Sequence, residues 1–285
     1  MKTTKESPYG TDRKTATGVG GLFTSKSITK KGDKKMNTTK ASHHGTDRKT
    51  AAVVGVLFIL GTVPALLSLP LALNTVSAPD HLTAISTNEG QMIIFTAVKF
   101  IMGVACAGIG LALYPILKKY NEGLAFGAAG FRVIEGVLDV VGAVGYVALL
   151  ALSQEFVRAG APQSSYFQTA DVLINAGNNW LGNAAMLFSF GIGALMYYVV
   201  FYQFRLVPRW LSVWGLVGIT LTIISALLVM FHLLPPFGTI QVILNLPILP
   251  QELVLAVWLI AKGFNPSAAV SLPAKTATNE LLSAS

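Results

Sequence analysis

The chain has 285 residues, of which 53% are apolar and only 12% are charged, well below the roughly 25% charged residues of soluble domains. Residues 1–50 hold 12 of the 21 Lys and Arg residues and 4 of the 13 acidic ones, whereas the rest of the chain is neutral overall. This composition excludes an ordinary soluble domain. Because the basic tail is rich in Thr, Ser and Lys but poor in aromatic residues, it does not predict a nucleic-acid partner.

The N-terminal segment is a tandem repeat, since residues 1–23 are identical to residues 36–58 at 16 of 23 positions. The second copy leads into a long apolar run, whereas the first copy stops after GVGGLF, too short to cross a membrane. We predict that residues 1–46 form a disordered, solvated basic tail, with weak contact to anionic lipid headgroups as the alternative. Residues 1–35 are interpreted as a decayed duplicate or as the result of a start site assigned upstream of Met36.

Six apolar stretches are long enough, or nearly so, to cross a bilayer core about 30 Å thick as helices. Basic residues precede the first span and follow the second, fourth and sixth, which predicts cytoplasmic N- and C-termini. The sequence therefore predicts an all-α polytopic membrane helical bundle over residues 47–264, followed by a disordered tail over 265–285. A secretory signal starting at Met36 is the alternative for the first stretch and would leave five helices. The stretches cover residues 51–73, 92–117, 124–152, 180–202, 211–230 and 242–261.

Ionisable residues inside these spans are the main candidates for function. In FRVIEGVLD, Arg132, Glu135 and Asp139 have the i, i+3, i+7 spacing of one helix face. Charges at membrane depth are costly and normally pair or face water. We predict that Arg132 pairs with Glu252 of the sixth span or with Glu135, and that Asp139 is exposed to water or protonated. Lys99, in the second span, is expected to extend toward the outer interface.

The segment NLPILPQE at the sixth span predicts a break in the helix, because Pro247 and Pro250 lack an N–H group. A helix starting at Pro250 would place Glu252 in its first turn at membrane depth, where broken helices line cavities in transporters; a plain proline kink is the alternative. Gln251 is a secondary candidate beside Glu252. Asn183 is interpreted as a link between helices rather than as a lining of an outer vestibule.

Signatures of common enzymes are missing, since no HExxH, GxSxG, P-loop or CxxC pattern occurs. We therefore predict no catalytic residue, metal ligand or cofactor, and interpret Cys106, the only cysteine, as a small buried apolar residue. The first hypothesis is a small-solute or proton-linked transporter with a polar cavity between the third and sixth spans. The alternative is a non-catalytic membrane scaffold or sensor whose buried charges are structural. An intramembrane enzyme is the least favoured hypothesis.

Three segments carry a resemblance to a known family: LYPILKKYNEGLAFGAAGFRVIEG, FRLVPRWLSVWGLVG and QELVLAVWLIAKGF. Together they resemble a bacterial family of six-helix integral membrane proteins defined by a domain of unknown function. The resemblance covers about residues 47–264, leaves residues 1–35 outside the family pattern, and implies a multi-pass protein of the bacterial plasma (inner) membrane. It implies no activity and no cofactor. The polar positions that it shares are Arg132, Glu135, Arg209 and Glu252.

Overall fold

The structure is a computed structural model of the chain, and it describes residues 47–67, 70, 75–76, 78–162 and 165–265. The doubled N-terminal segment lies largely outside the described residues, as does the C-terminal tail beyond residue 265. The predicted disorder of both tails therefore stays a prediction.

The described part of the chain is helical. Six of its helices, two of which contain an interruption, are long and apolar enough to cross a membrane. This confirms the predicted all-α polytopic bundle. In chain order the elements are α1 (Asp47–Leu67), α2 (His81–Thr87), α3 (Glu89–Leu117), α4 (Glu122–Arg158), α5 (Ser165–Trp180), a π-helical segment (Leu181–Met186), α6 (Leu187–Gln203), α7 (Arg209–Met230), α8 (Thr239–Asn245) and α9 (Ile248–Ala261).

The helices extend further than the apolar stretches that predicted them. The third predicted span ended near residue 152, but α4 continues to Arg158, and α5 occupies much of the predicted polar loop. The loop after the first span likewise contains α2. Helix α2 packs with α3 and α4 in a small apolar cluster, against which Ile174 of α5 also packs. The last turns of α4 contact α5 through the rings of Phe156 and Phe167, 5.6 Å apart. Packing thus stabilises helix beyond the long apolar runs. The cluster contains Ile85, Met92, Phe95, Tyr146 and Leu149.

The sixth span is interrupted, as the two prolines predicted. Helix α8 ends at Asn245 and α9 begins at Ile248, two residues before the predicted start. Pro250 lies in the first turn of α9, where a missing N–H group costs no intrahelical hydrogen bond. The break is fixed to α7, because the indole Nε1 of Trp214 donates to the carbonyl oxygen of Pro247 at 3.0 Å.

Helices α3 and α4 cross at two glycines, Gly103 and Gly136. A Cβ atom on Gly103 would lie 2.6 Å from the carbonyl oxygen of Gly136, so any larger residue would push the backbones apart. Further along the crossing, a Cβ atom on Gly110 would lie 2.7 Å from that of Arg132. The close approach fixes the register of α3 against α4 and brings the charged face of α4 next to α3.

The ends of α1, α3 and α9 meet at one side of the bundle. The Arg48 guanidinium donates to three carbonyl oxygens at the C-terminal end of α9, at distances of 2.9 to 3.4 Å. A cation there satisfies free carbonyl groups and complements the helix dipole. Asp47 forms an ion pair of 2.7 Å with Lys119, which follows α3. The N-terminus of α1 is thereby tied to both neighbouring helix ends.

Large apolar side chains also cover the outside of the spans. Val104 and Leu111 of α3, and Val137 and Val144 of α4, are each more than half exposed. Contiguous apolar surface of this kind is unfavourable in water but favourable against lipid tails. The bundle is thus an integral membrane protein in contact with the lipid bilayer, with its polar side chains inside.

Candidate functional site

The three charged residues in the middle of α4 all point into the bundle. Arg132 is 2% exposed, and Glu135 and Asp139 are each 3% exposed. Asp139 accepts a hydrogen bond of 2.9 Å from Nζ of Lys99 on α3. The structure therefore contradicts exposure of Asp139 to water, and Lys99 turns to Asp139 instead of extending to the outer interface. The alternative that Asp139 is protonated stays a prediction. The register set by Gly103 brings the two side chains together, and the ion pair offsets the cost of burying each charge.

Arg132 pairs with Glu135, the second of its two predicted partners. Its Nη1 atom lies 3.0 Å from Oε2 of Glu135, although the contact lacks the directed geometry of a hydrogen bond. The guanidinium also lies over the ring of Phe190 on α6, 5.1 Å from the ring centre. Glu252 forms no direct ion pair with Arg132 but is within electrostatic range of it.

Glu252 lies on α9 and is 7% exposed. Its Oε2 atom accepts a hydrogen bond of 2.7 Å from the hydroxyl of Thr62 on α1. Its Oε1 atom has no hydrogen-bond partner among the described residues. An unpaired carboxylate oxygen at this burial is uncommon, since nearly all buried polar atoms have a protein or water partner.

Two adjacent tyrosines of α6, Tyr197 and Tyr198, complete the surroundings of Glu252. The Tyr198 hydroxyl donates to Oε1 of Gln251 at 2.5 Å, and Nε2 of Gln251 donates to the Leu211 carbonyl oxygen at 3.1 Å. The Tyr197 hydroxyl has no hydrogen-bond partner in the described ranges, yet it is within electrostatic range of Arg132, Glu135 and Glu252. Gln251 therefore joins α9 to α6 and α7, and the Tyr197 hydroxyl lies beside that of Tyr198.

These residues form one group, which we call the central polar cluster. It includes Cys106 of α3, whose sulfur lies within 4.8 Å of a carboxylate oxygen of Glu135. The cluster draws on α1, α3, α4, α6 and α9, not only on the two spans that the sequence indicated. Thr62, Cys106 and the two tyrosines were missed because neutral residues do not stand out in an apolar run. The members are Thr62, Cys106, Arg132, Glu135, Tyr197, Tyr198, Gln251 and Glu252.

The buried charges of the spans do not balance. Glu135 and Asp139 each have a cationic partner, Arg132 and Lys99 respectively. Glu252 has none of its own within the described part of the chain, so the interior carries one excess negative charge when all five groups are ionised. Because an uncompensated charge at membrane depth is costly, the excess is the most informative feature of the site.

One set of side chains has donor atoms close enough for a metal ion. The thiol of Cys106 and the carboxylates of Glu135 and Asp139 have atoms within 4.8 Å of one another. Both carboxylates, however, are already paired with Arg132 and Lys99. A divalent ion would have to displace both cationic side chains, so the arrangement fits ion pairs better than a metal centre.

Asn183 lies apart from the central polar cluster, in the π-helical segment. Its Oδ1 atom accepts a hydrogen bond of 3.3 Å from Nε2 of Gln241 on α8. Nearby, Nδ2 of Asn245 donates to the Ser225 hydroxyl of α7 at 2.9 Å. Asn183 therefore links the fourth span to the sixth, which agrees with the interpretation of this residue as a link between helices.

Comparison with protein families gives a match over residues 53–263 to the model described as "Domain of unknown function (DUF4386)". The chain belongs to this family. The match confirms the resemblance noted in the sequence and places the whole central polar cluster inside the DUF4386 domain, whereas residues 1–52 precede it. Neither the curated proteins nor the solved structures provide a match. As a member of this family with six helices able to cross a membrane, the chain is a multi-pass membrane protein.

Proposed function

We propose that the protein is a proton-linked transporter of small solutes, with Glu252 as the carboxylate that takes up and releases the proton. The observation that carries the proposal is the unmatched charge of Glu252, whose Oε1 atom lacks a partner among the described residues. A proton neutralises this charge, and its release restores it. The side chain therefore has two states that differ strongly in electrostatic energy inside a bilayer.

The position of Glu252 supports this role. It lies nine residues before the end of α9, which is about 14 Å along a helix and near the middle of a bilayer core about 30 Å thick. The break between α8 and α9 lies just outward of it. Interrupted helices at such depth line binding sites and act as moving parts in many transporters.

The neighbouring groups can stabilise both states of Glu252. When the carboxylate is ionised, it accepts from Thr62 and lies in the field of Arg132. When it is protonated, its hydroxyl can donate to a neighbouring acceptor such as the hydroxyl oxygen of Tyr197. Movement of α9 relative to α1 and α6 would change these contacts and so couple proton release to a change of conformation.

Proteoliposomes loaded with a pH-sensitive dye test the proposal. With an imposed pH gradient, addition of solutes from a panel of amines, amino acids, sugars and organic acids is expected to cause protein-dependent proton movement with at least one class. The Glu252→Gln variant should lose this movement. Glu155→Gln is the matched control. It makes the same chemical change, but at a side chain that is 59% exposed. Equal proton movement in wild type and Glu252→Gln would contradict the proposal.

A scaffold or sensor is the second candidate, and a specific observation favours it. The Arg132–Glu135 and Lys99–Asp139 pairs are each neutral and need nothing outside the bundle. If they only hold helices together, replacing both members of the Arg132–Glu135 pair by Met and Gln should preserve folding and any cellular phenotype, whereas single replacements destabilise. Loss of proton movement in the folded double variant would instead favour transport.

We also propose that the protein lies in the bacterial plasma membrane with both termini in the cytoplasm. Most basic residues at the ends of the spans gather on one side, where Arg48 contacts the end of α9 and Lys119 contacts Asp47; Arg158, at the far end of α4, is the exception. The positive-inside rule assigns that side to the cytoplasm. Reporter fusions at both termini test the orientation. The basic residues on this side are Arg48, Lys49, Lys118, Lys119, Arg205, Arg209 and Lys262.

A further inference from the structure

The central polar cluster also indicates which solute would be exchanged for the proton. We propose that Glu252 binds a small organic ammonium ion in place of the proton, so that the protein exchanges ammonium-type cations for protons. This inference rests on the proposed function, which requires only that Glu252 carries a proton. It adds the chemical class of the cargo.

Charge balance is the first step. The charges of Arg132 and Lys99 are already matched by those of Glu135 and Asp139. The interior is therefore neutral only when a proton or another monovalent cation is bound to the Glu252 carboxylate. A proton supplies this positive charge in one state. After the proton leaves, a neutral or anionic solute would leave the charge unmatched, whereas a monovalent cation restores neutrality. In the exchange, the O–H bond of the Glu252 carboxyl breaks, its proton leaves to water, and the carboxylate accepts N–H groups of the ammonium ion.

The atoms without partners fit the hydrogen bonds of an ammonium group. Oε1 of Glu252 has no hydrogen-bond partner among the described residues, and the hydroxyl oxygen of Tyr197, within electrostatic range of Glu252, is a second acceptor. Oε2 of Glu135 is not counted, because it lies 3.0 Å from Nη1 of Arg132. An ammonium group carries up to three N–H donors and would satisfy both acceptors. The Arg132 guanidinium does not reverse this preference, since its charge is matched by Glu135 at 3.0 Å.

Aromatic rings around the site favour an organic ammonium ion over an inorganic cation. Tyr197 packs against Tyr198 with ring centres 4.6 Å apart, and against Phe58 at 6.1 Å with an interplanar angle of 77°. Phe201 closes the group at 5.5 Å from Tyr197. Ring faces attract ammonium ions and their carbon substituents when both are removed from water. An inorganic ion such as Na⁺ gains less from such rings and requires more oxygen ligands.

Several charged or titratable groups affect the exchange, because they face Glu252 from the helices packed around it. Thr62 donates to it from α1, Arg132 and Glu135 act on it from α4, and both tyrosines act from α6. Of these, only Glu252 combines a free oxygen with an unmatched charge. Exchange is therefore expected at Glu252, with Tyr197 as a residue that positions the cation.

Proton release on cation binding provides the test. Purified full-length protein in detergent, in weakly buffered solution with a pH-indicator dye, is titrated with methylammonium chloride. Wild type and Glu155→Gln should release close to one proton per bound methylammonium, and Glu252→Gln should release none. Tyr197→Phe should keep the stoichiometry but weaken affinity by about fivefold, the equivalent of one hydrogen bond. Sodium chloride at the same concentration should release no proton.

The outcomes separate this inference from the proposed function. If methylammonium releases no proton from wild type, or if sodium chloride releases as many, ammonium exchange is refuted. Release that is undiminished in Glu252→Gln refutes the assignment of the site. If a neutral or anionic solute instead drives Glu252-dependent proton movement in liposomes, the protein is a proton-linked transporter with a different cargo. Thermal unfolding of Glu252→Gln, compared with wild type, confirms that the variant is folded.

Discussion

Replacing Lys99 by Met tests whether the Lys99–Asp139 pair is shielded from water, as the structure shows. The two side chains are 2.9 Å apart, and the carboxylate of Asp139 is only 2% exposed. Once the ammonium group is removed, the carboxylate has almost no access to water to replace it. Removing one partner of such a pair costs about 3–5 kcal/mol. We therefore expect Lys99→Met to lower the free energy of unfolding by about this amount.

The matched control is Lys119→Met. Lys119 also pairs with an aspartate, Asp47, at 2.7 Å, but these side chains are 37% and 38% exposed. Exposed pairs contribute at most about 1 kcal/mol. The two variants thus make the same chemical change at similar contact distances and differ in burial. The double variant Lys99→Met with Asp139→Asn should recover most of the lost stability, because it leaves no unpaired charge.

The chain carries its own reporter for this measurement. Cys106 is the only cysteine, and it is buried in the folded protein. Its reaction with a fluorogenic maleimide during unfolding in mixed micelles of mild detergent and sodium dodecyl sulfate reports the unfolded fraction. If Lys99→Met costs no more than Lys119→Met, Asp139 must have access to water. In that case the charge balance of the interior would no longer single out Glu252, because water could compensate the buried charges.

Three further changes are predicted. Gly136→Ala should lower the free energy of unfolding by about 1–3 kcal/mol, because the new Cβ atom would clash with the carbonyl oxygen of Gly103. The control is Gly142→Ala, whose Cβ atom would have no neighbour within 4 Å. In the same assay this variant should be as stable as wild type or more stable. Arg48→Met should cost about 0.5–1 kcal/mol, because the C-terminal end of α9 loses a cation; an unchanged free energy of unfolding would show that water replaces it. Deletion of residues 1–35 should leave membrane insertion intact, and inverted reporter fusions would show that this segment directs topology.

The spans could be predicted from the sequence because a bilayer requires long apolar runs, and the break in the sixth span could be predicted because proline lacks an N–H group. The ends of the helices were harder to predict from the sequence. Outside the longest apolar runs, α2, α5 and the last turns of α4 are amphipathic and polar enough to be taken for loops. They are stabilised by packing between residues distant in the sequence, around Ile85 and Tyr146 for α2 and α5 and between Phe156 and Phe167 for the end of α4.

The pairing of the buried charges could not be predicted, because it depends on the register between helices. The spacing of Arg132, Glu135 and Asp139 indicated one inward face of α4, and the structure places them there. Which cation meets Asp139 is decided by the crossing of α3 over α4, where Gly103 fits against the α4 backbone. A glycine in an apolar run does not indicate which partner helix it will contact.

That register also determines which carboxylate is available for function. If α3 were shifted by one turn, Lys99 would miss Asp139, and the bundle would contain two unmatched carboxylates instead of one. The glycine crossing places Lys99 next to Asp139, and helical spacing places Arg132 next to Glu135. The unmatched negative charge is therefore that of Glu252. Glu252 also lies in the second turn of α9, just after the break in the sixth span. The structural pairs and the proposed transport site are therefore linked: the two ion pairs leave only Glu252, among the buried carboxylates described, without a cation of its own, and its proposed exchange of a proton for a cation depends on this.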